Sequence, residues 1–178
     1  MKTMKSFVLP LILASAAYAA AGEVPRVDRA QIEKVEKSLD STLLQFTPDN
    51  SHTLIGLTRG VYLDGVGAIF NAELILVNAP INIMHPLPSK EEIVVMRKKK
   101  MDRLPILRKV LKDALVSAAA SLETIPPDEQ VVIAVILPRF KFEEAAGLPA
   151  QITVQASKRK LLESKGAALD ALIRVSEN

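Results

Sequence analysis

Few side chains in this 178-residue chain have the chemistry of a catalyst or a metal ligand. The chain contains no cysteine, which excludes thiol nucleophiles, thiolate metal sites and disulfide bonds. Its two histidines, His52 and His85, form neither an H-E-x-x-H motif nor an i, i+4 pair, so the sequence predicts no zinc site. His85 precedes Pro86 in a proline-rich stretch, and we expect both histidines to be solvated side chains that act neither as ligand nor as base.

Ser157 and Lys160 match the S-x-x-K pattern of penicillin-interacting serine enzymes, in which the lysine helps to activate the serine. The chain has no K-T-G motif, and Ser157 stands where a helix N-cap is expected, so the cap is the favoured interpretation.

Two pairs of adjacent carboxylates, Asp128-Glu129 and Glu143-Glu144, are candidates for the acid and base of sugar cleavage. Adjacent side chains point in different directions, whereas glycosidases place their two carboxylates across a cleft. We therefore predict that both pairs lie in solvated loops.

A run of basic residues is the main charge asymmetry of the sequence. It suits contact with anionic lipid, a cell-wall polymer or an acidic protein, although a solvated helix face is the simpler explanation. Nucleic acid is disfavoured because no aromatic residues are interleaved with the cations. The residues of this basic face are Arg97, Lys98, Lys99, Lys100, Arg103 and Arg108, followed by Lys109 and Lys112.

Apolar and β-branched residues at 53–63 and 68–77 flank an Asp64-Gly65 dipeptide, which predicts an antiparallel hairpin with a tight turn. Glycine weakens a strand unless it forms a bulge or admits another backbone, so close packing is expected at Gly56, Gly60 and Gly67. The polar residues near this turn form the candidate binding site: Arg59, Tyr62, Asp64, Gly65, Gly67 and Glu73. The alternative is that Asp64 only serves the turn while Arg59 and Glu73 pair across the strands.

The fifteen residues R-G-V-Y-L-D-G-V-G-A-I-F-N-A-E at 59–73 resemble a hairpin of exported bacterial proteins that have no assigned activity. The resemblance is looser through the helix at 104–122 and the strand that begins at Val131. It implies a hairpin and brings no catalytic residue or cofactor with it.

The N-terminus has the pattern of a secretory signal peptide. Lys2 and Lys5 precede an apolar run at 7–14 and a small-residue stretch, so we expect cleavage near Ala19 to Ala21. A retained membrane anchor is the alternative, but Pro10 interrupts an apolar run shorter than the ~20 residues of a spanning helix. This leader holds two of the 23 basic residues and no acid, which leaves 21 basic against 20 acidic residues in the remaining chain.

The remaining residues, 22–178, predict a single α+β domain with element order α-ββ-α-ββ-α. Asp28 and Gln31 have the spacing of a capping box that opens the first helix, and Ser89 opens the next. Pro105 is expected to divide that second helical region into two segments. The continuous apolar run at 131–137 predicts a central strand buried on both faces. The fold class is therefore a two-layer sandwich, with a mainly antiparallel sheet covered by helices.

These observations favour an exported, periplasmic or secreted interaction module that binds an envelope protein through the hairpin or the basic face. A hydrolase with no recognisable motif is the alternative, and it requires the fold to bring serine, histidine and a carboxylate together. We expect no metal, no cofactor, no nucleic acid and no membrane span after cleavage of the leader.

Overall fold

The computed structural model describes residues 27–81, 86–144 and 146–178. The predicted leader at 1–21 and His85 lie outside the described residues. The helices and strands of the described part are, in chain order, α1 (Arg29–Leu44), β1 (Thr53–Leu63), β2 (Gly67–Ile75), α2 (Lys90–Ser121), β3 (Gln130–Ile136), β4 (Gln151–Ser157), α3 (Lys158–Glu163), α4 (Gly166–Leu172) and β5 (Arg174–Glu177).

The five strands form one sheet in the order β1-β2-β3-β4-β5. Strands β2 and β3 are parallel and the other three neighbouring pairs are antiparallel. Helix α2 connects the two parallel strands, as a parallel pair requires a crossover connection. The mixed α+β class and the mostly antiparallel sheet are thus confirmed. The C-terminal part differs from the prediction, because the last helix is divided into α3 and α4 and is followed by β5.

Helix α1 begins after Asp28, whose side chain accepts a hydrogen bond from the backbone N–H of Ala30 at 2.9 Å. The predicted N-cap is confirmed, but Gln31 does not complete a capping box. Its side-chain oxygen instead accepts bonds from the Thr124 backbone and hydroxyl at 3.1 and 3.0 Å. Gln31 therefore ties the start of α1 to the segment that follows α2.

Helix α2 is one continuous helix of 32 residues with Pro105 in its interior, so the predicted division at Pro105 is wrong. Pro105 lies on the exposed side, while Leu104, Leu107 and Leu111 bury one unbroken stripe on the other side. Burial of a leucine side chain contributes about 1.5–3 kcal/mol, so three of them offset the ~3 kcal/mol cost of an interior proline.

Replacing Pro105 by alanine is expected to raise the free energy of unfolding by about 2 kcal/mol. Alanine lets the Met101 carbonyl accept a helical hydrogen bond, and the greater freedom of the unfolded chain cancels only part of the gain. Urea unfolding measures the change, with Lys109→Ala at another exposed position of α2 as the control. Equal stabilities of P105A and the original protein would contradict the expectation.

Side chains alternate between two environments along β2, β3 and β4. Alternate residues of these strands are buried against the apolar stripes of α1 and α2, and they include Phe70, Leu74, Ile133, Val135, Ile152 and Val154. We call the other side of the sheet the open face, because its residues, given in the next sentence, are exposed or half-buried. The open face comprises Ile55, Arg59, Val61 and Leu63 of β1, Ile69, Asn71 and Glu73 of β2, Val132, Ala134 and Ile136 of β3, Thr153 and Gln155 of β4, and Arg174 of β5.

Strand β3 is third of the five strands, which confirms its predicted central position. Its two faces are not equally covered. Val131, Ile133 and Val135 are buried, whereas Val132 and Ile136 on the open face are only half-buried. The prediction that both faces are buried is wrong for the open face.

Candidate functional site

A carboxylate from a distant loop closes the turn of the β1–β2 hairpin. Oε1 of Glu129 accepts hydrogen bonds from the Tyr62 hydroxyl at 3.1 Å and from the Gly65 backbone N–H at 3.0 Å. The Tyr62 hydroxyl also lies 3.5 Å from Oδ1 of Asp64. The predicted grouping of Tyr62, Asp64 and Gly65 therefore exists, and Glu129, expected to be a solvated loop residue, is its centre.

Gly67 is the point at which this hairpin meets β3. Its φ of +125° is one that L side chains rarely adopt, and a Cβ there would overlap the carbonyl oxygen of Gln130. The Gln130 backbone N–H also donates to the carbonyl of the neighbouring Val66 at 2.9 Å. At Gly67 the predicted close packing is thus a backbone-to-backbone contact. At Gly56 the prediction of close packing is wrong, because a Cβ there would meet nothing within 4 Å, and Gly56 lies instead where the register of β1 and β2 shifts.

Arg59 and Glu73 do not belong to the turn cluster. Both lie on the open face, where Arg59 is opposite Asn71 and Glu73 is opposite Ile55. Tyr62, which pairs with Ala68, points to the other side of the hairpin. The six predicted site residues are therefore split between two sides of the hairpin, and binding by either group stays a prediction.

Tyr62 provides a spectroscopic test of the turn cluster. Burial, and secondly its hydrogen bond to Glu129, raise the pKa of Tyr62 to about 12 from 10.0. Because the folded state favours the protonated phenol, its contribution to stability is present below pH 10 and is lost as the pH rises through about 12. In a chain that begins at Gly22, Tyr62 is the sole tyrosine, so phenolate absorbance reports this group directly.

We expect Glu129→Gln to move the absorbance midpoint of Tyr62 toward 10, since the negative charge beside the phenolate is removed. Asp64→Asn is the matched control and is expected to shift the midpoint less, because Asp64 raises the pKa of Tyr62 less than burial and Glu129 do. A midpoint unchanged by Glu129→Gln would show that the bond to Glu129 does not raise the pKa.

Helix α1 occupies the outer edge of β1. Glu36 accepts a hydrogen bond from the Gly60 backbone N–H at 2.7 Å, and Asp40 accepts one from the Thr58 backbone N–H at 2.8 Å. Arg29 donates to the Gly60 carbonyl at 3.1 Å and to Glu36. A Cβ on Gly60 would lie 2.6 Å from Ile32, which is why glycine is required at this helix–strand contact. Because its backbone groups are already bonded here, β1 is protected against pairing with another strand.

The open face presents apolar side chains to solvent. Ile55, Val61 and Leu63 of β1 are 41%, 50% and 45% exposed. Half-buried Ile69 and Val132 lie beside Val61 on the neighbouring strands, in the same row of the sheet. The contribution of β3 to this apolar face was not predicted from the sequence. The available signal was that the branched residues Val132 and Ile136 alternate with the buried residues of β3.

Two residues of the predicted basic face point into the protein. The ammonium group of Lys100 lies 2.6 and 2.7 Å from the two carboxylate oxygens of Glu143, and both side chains are almost fully buried. Arg103 is buried too, and it binds the carboxylate of Asp49 and the backbone carbonyls of Ser51 and Leu76. For Lys100 and Arg103 a solvated face is therefore wrong, as is the solvated loop predicted for Glu143.

Other residues of the basic face make surface contacts. Arg97 donates to the carbonyls of Glu144 and Ala146, Lys98 pairs with Asp102, and Arg108 pairs with Glu177. The cations of α2 thus serve largely to hold neighbouring segments of the same chain.

The candidate catalytic residues have structural partners. Nδ1 of buried His52 lies 2.9 Å from the Thr47 hydroxyl and its Nε2 lies 3.2 Å from the Leu44 carbonyl, so the expected solvation of His52 is wrong. Ser157 occupies the predicted N-cap position of α3, although its side chain makes no capping bond. The adjacent Lys158 is buried, donates to the carbonyls of Glu123 and Ile125, and has a pKa lowered by that burial.

Within residues 27–81, 86–144 and 146–178, no three His, Cys, Asp or Glu side chains are arranged to hold a metal ion. No helix in the same ranges has both the length and the apolar character needed to cross a membrane. Comparisons of the chain with protein-family models, curated proteins and solved structures found no match.

Proposed function

We propose that this chain is an exported, non-catalytic interaction module that binds another protein of the cell envelope through the open face of its sheet. The observation that carries the proposal is the exposure of Val61 and Leu63 side by side on β1, next to half-buried Ile69 and Val132, with exposed Ile55 on the same face beyond Arg59. Contiguous apolar surface on a folded domain marks sites of protein association, because its removal from water is favourable by roughly 25 cal/mol per Å².

In this proposal the domain is a two-layer sandwich whose second sheet face is completed by the partner. Helices α1 and α2 supply the apolar stripes that cover one face. A sheet with one uncovered apolar face gains stability when a second layer packs on it. The pattern of burial along β2, β3 and β4 supports this arrangement.

The open face is favoured over the basic face as the binding surface. Lys100 and Arg103 are buried in internal ion pairs, and Arg108 pairs with Glu177. The charge that remains on α2 is therefore smaller than the sequence suggested, which weakens the case for an anionic surface as partner.

Site-specific photocrosslinking in cells that express the full chain tests the proposal. A photoreactive amino acid at Val61 is expected to yield a discrete adduct, whereas the same group at Lys37 on the exposed side of α1 is not. The proposal fails if both positions give the same adducts, or if neither gives any.

Export has a separate test. The leader at 1–21 predicts that the periplasmic or secreted fraction contains a chain whose mass corresponds to a start near Ala20 or Gly22. A full-length chain beginning at Met1 and confined to the cytoplasm would rule out this part of the proposal.

A hydrolase without a recognisable motif remains the alternative function. It requires a histidine in contact with a serine and a carboxylate, but His52 contacts Thr47 and Leu44. No contact of the described residues favours this alternative.

A further inference from the structure

We infer that the partner of the open face is a second copy of this chain, packed face to face across a two-fold axis. The inference rests on the proposed use of the open face for binding and adds the identity of the occupant. It is carried by the charges of that face and by the protection of the β1 edge.

On strands β1 and β2 the open face carries one cation and one anion that lack partners among the described residues, while its other cation, Arg174, lies on β5 at the far edge of the sheet. Arg59 and Glu73 form no ion pair or side-chain hydrogen bond with any other described residue. They lie on adjacent strands, since Arg59 is opposite Asn71 and Glu73 is two residues further along β2. Both are exposed, so their charged groups are available to another molecule.

Two neighbouring unpaired charges of opposite sign form a patch that is complementary to itself. A two-fold axis between Arg59 and Glu73 brings Arg59 of each copy against Glu73 of the other and forms two identical ion pairs. Complementary charges fix the orientation of such an interface more than they add to its affinity. The affinity in this arrangement comes from Val61 and Leu63 and from the half-buried aliphatic residues beside them.

The alternative of joining two sheets edge to edge is hindered at the middle of β1. Glu36, Asp40 and Arg29 already bond the backbone groups of Thr58 and Gly60. At the opposite edge β5 has only four residues, and short edge strands are one way in which proteins avoid pairing with other chains. Association through a face agrees with both observations.

Sedimentation equilibrium on the full chain purified from expressing cells tests the inference. We expect the original protein to form dimers, and Arg59→Glu and Glu73→Arg each to raise the dimer dissociation constant at least tenfold, because each creates two like-charge contacts. The double variant Arg59→Glu/Glu73→Arg is expected to dimerise again. Lys37→Glu, which makes the same charge change on the exposed side of α1, should leave the dissociation constant unchanged.

Mixing the two single variants gives the sharpest result. One copy then carries two acidic and the other two basic residues, so an equimolar mixture of Arg59→Glu and Glu73→Arg is expected to form heterodimers although each variant alone does not. Circular dichroism of each variant confirms that the fold is retained, as expected for exposed positions.

A monomeric original protein at all concentrations, or a dimer that Arg59→Glu and Lys37→Glu affect equally, would overturn the inference. Neither outcome touches the proposed function, because the Val61 photocrosslink would then report a different protein. If the protein is monomeric and Val61 also gives no adduct, both the dimer inference and the proposed function of the open face are contradicted.

Discussion

Gly67→Ala is expected to lower the free energy of unfolding by roughly 4 kcal/mol. The φ of +125° costs an L residue about 1–3 kcal/mol, and forcing an added methyl group into a packed contact costs a further 1–3 kcal/mol. The added Cβ would overlap the Gln130 carbonyl oxygen and lie 2.7 Å from its nitrogen, both of which are backbone atoms that no rotamer change can move away. Urea unfolding of the purified variant measures the loss.

Gly65→Ala is the matched control, because Gly65 also has a positive φ, +72°, but a Cβ there meets nothing within 4 Å. Its expected cost is about 1 kcal/mol, since only the left-handed conformation is penalised. If Gly67→Ala and Gly65→Ala cost the same, the close approach of β2 and β3 at Gly67 would not be the reason for glycine there.

Lys100→Met is expected to destabilise the protein by about 3–5 kcal/mol, because it leaves the carboxylate of Glu143 buried without its cation. The side chains of Lys100 and Glu143 are 4% and 6% exposed, so water cannot replace the missing partner. Lys98→Met breaks the ion pair with Asp102 on the exposed side of the same helix, where such pairs contribute about 0.3–0.5 kcal/mol. Chemical denaturation of the two variants compares the buried and the exposed pair directly.

The double variant Lys100→Met/Glu143→Leu distinguishes the net contribution of the ion pair from the cost of leaving the Glu143 carboxylate buried alone. Replacing both partners by apolar side chains of similar volume is often neutral or stabilising, so we expect it to recover most of the stability that Lys100→Met loses. A double variant less stable than Lys100→Met would show that the ion pair is itself a large net contributor.

The hairpin could be predicted from the sequence because its signals are local. Asp64-Gly65 supplies the turn and alternating residues on either side supply the strands, so β1 and β2 appear within two residues of their predicted bounds. The N-cap of α1 at Asp28 could be predicted from the sequence for the same reason. Each of these features depends on side chains a few positions apart.

The internal partners of the charged residues could not be read from the sequence. Glu143 is 43 positions from Lys100, and Glu129 is 67 positions from Tyr62. A basic run gives no sign of which cations face inward until the helix is placed on the sheet. The buried Lys100 follows Met96 and precedes Leu104 at a spacing of four, and that periodicity was the available signal.

The C-terminal strand escaped prediction for another reason. Four residues at 174–177 are too few to show an alternating pattern, and β5 exists because β4 offers it a free edge. Pro105 led to the opposite error, a helix end that does not exist. The local rule for proline predicts a break, but the leucines packed on the other side of α2 keep the helix continuous. Tertiary contacts decided both cases.

The parallel pairing of β2 with β3 sets the order in which the molecule can fold. The hairpins β1–β2 and β3–β4 each close through a short connection or a single loop, whereas β2 and β3 meet only after α2 has spanned the chain between them. Closing a longer loop costs more chain entropy before any contact stabilises it, so we expect this pairing to be the slow step of folding. The Gly67–Gln130 contact lies at this junction, so the absence of a side chain at one glycine allows the two hairpins to join into the native sheet.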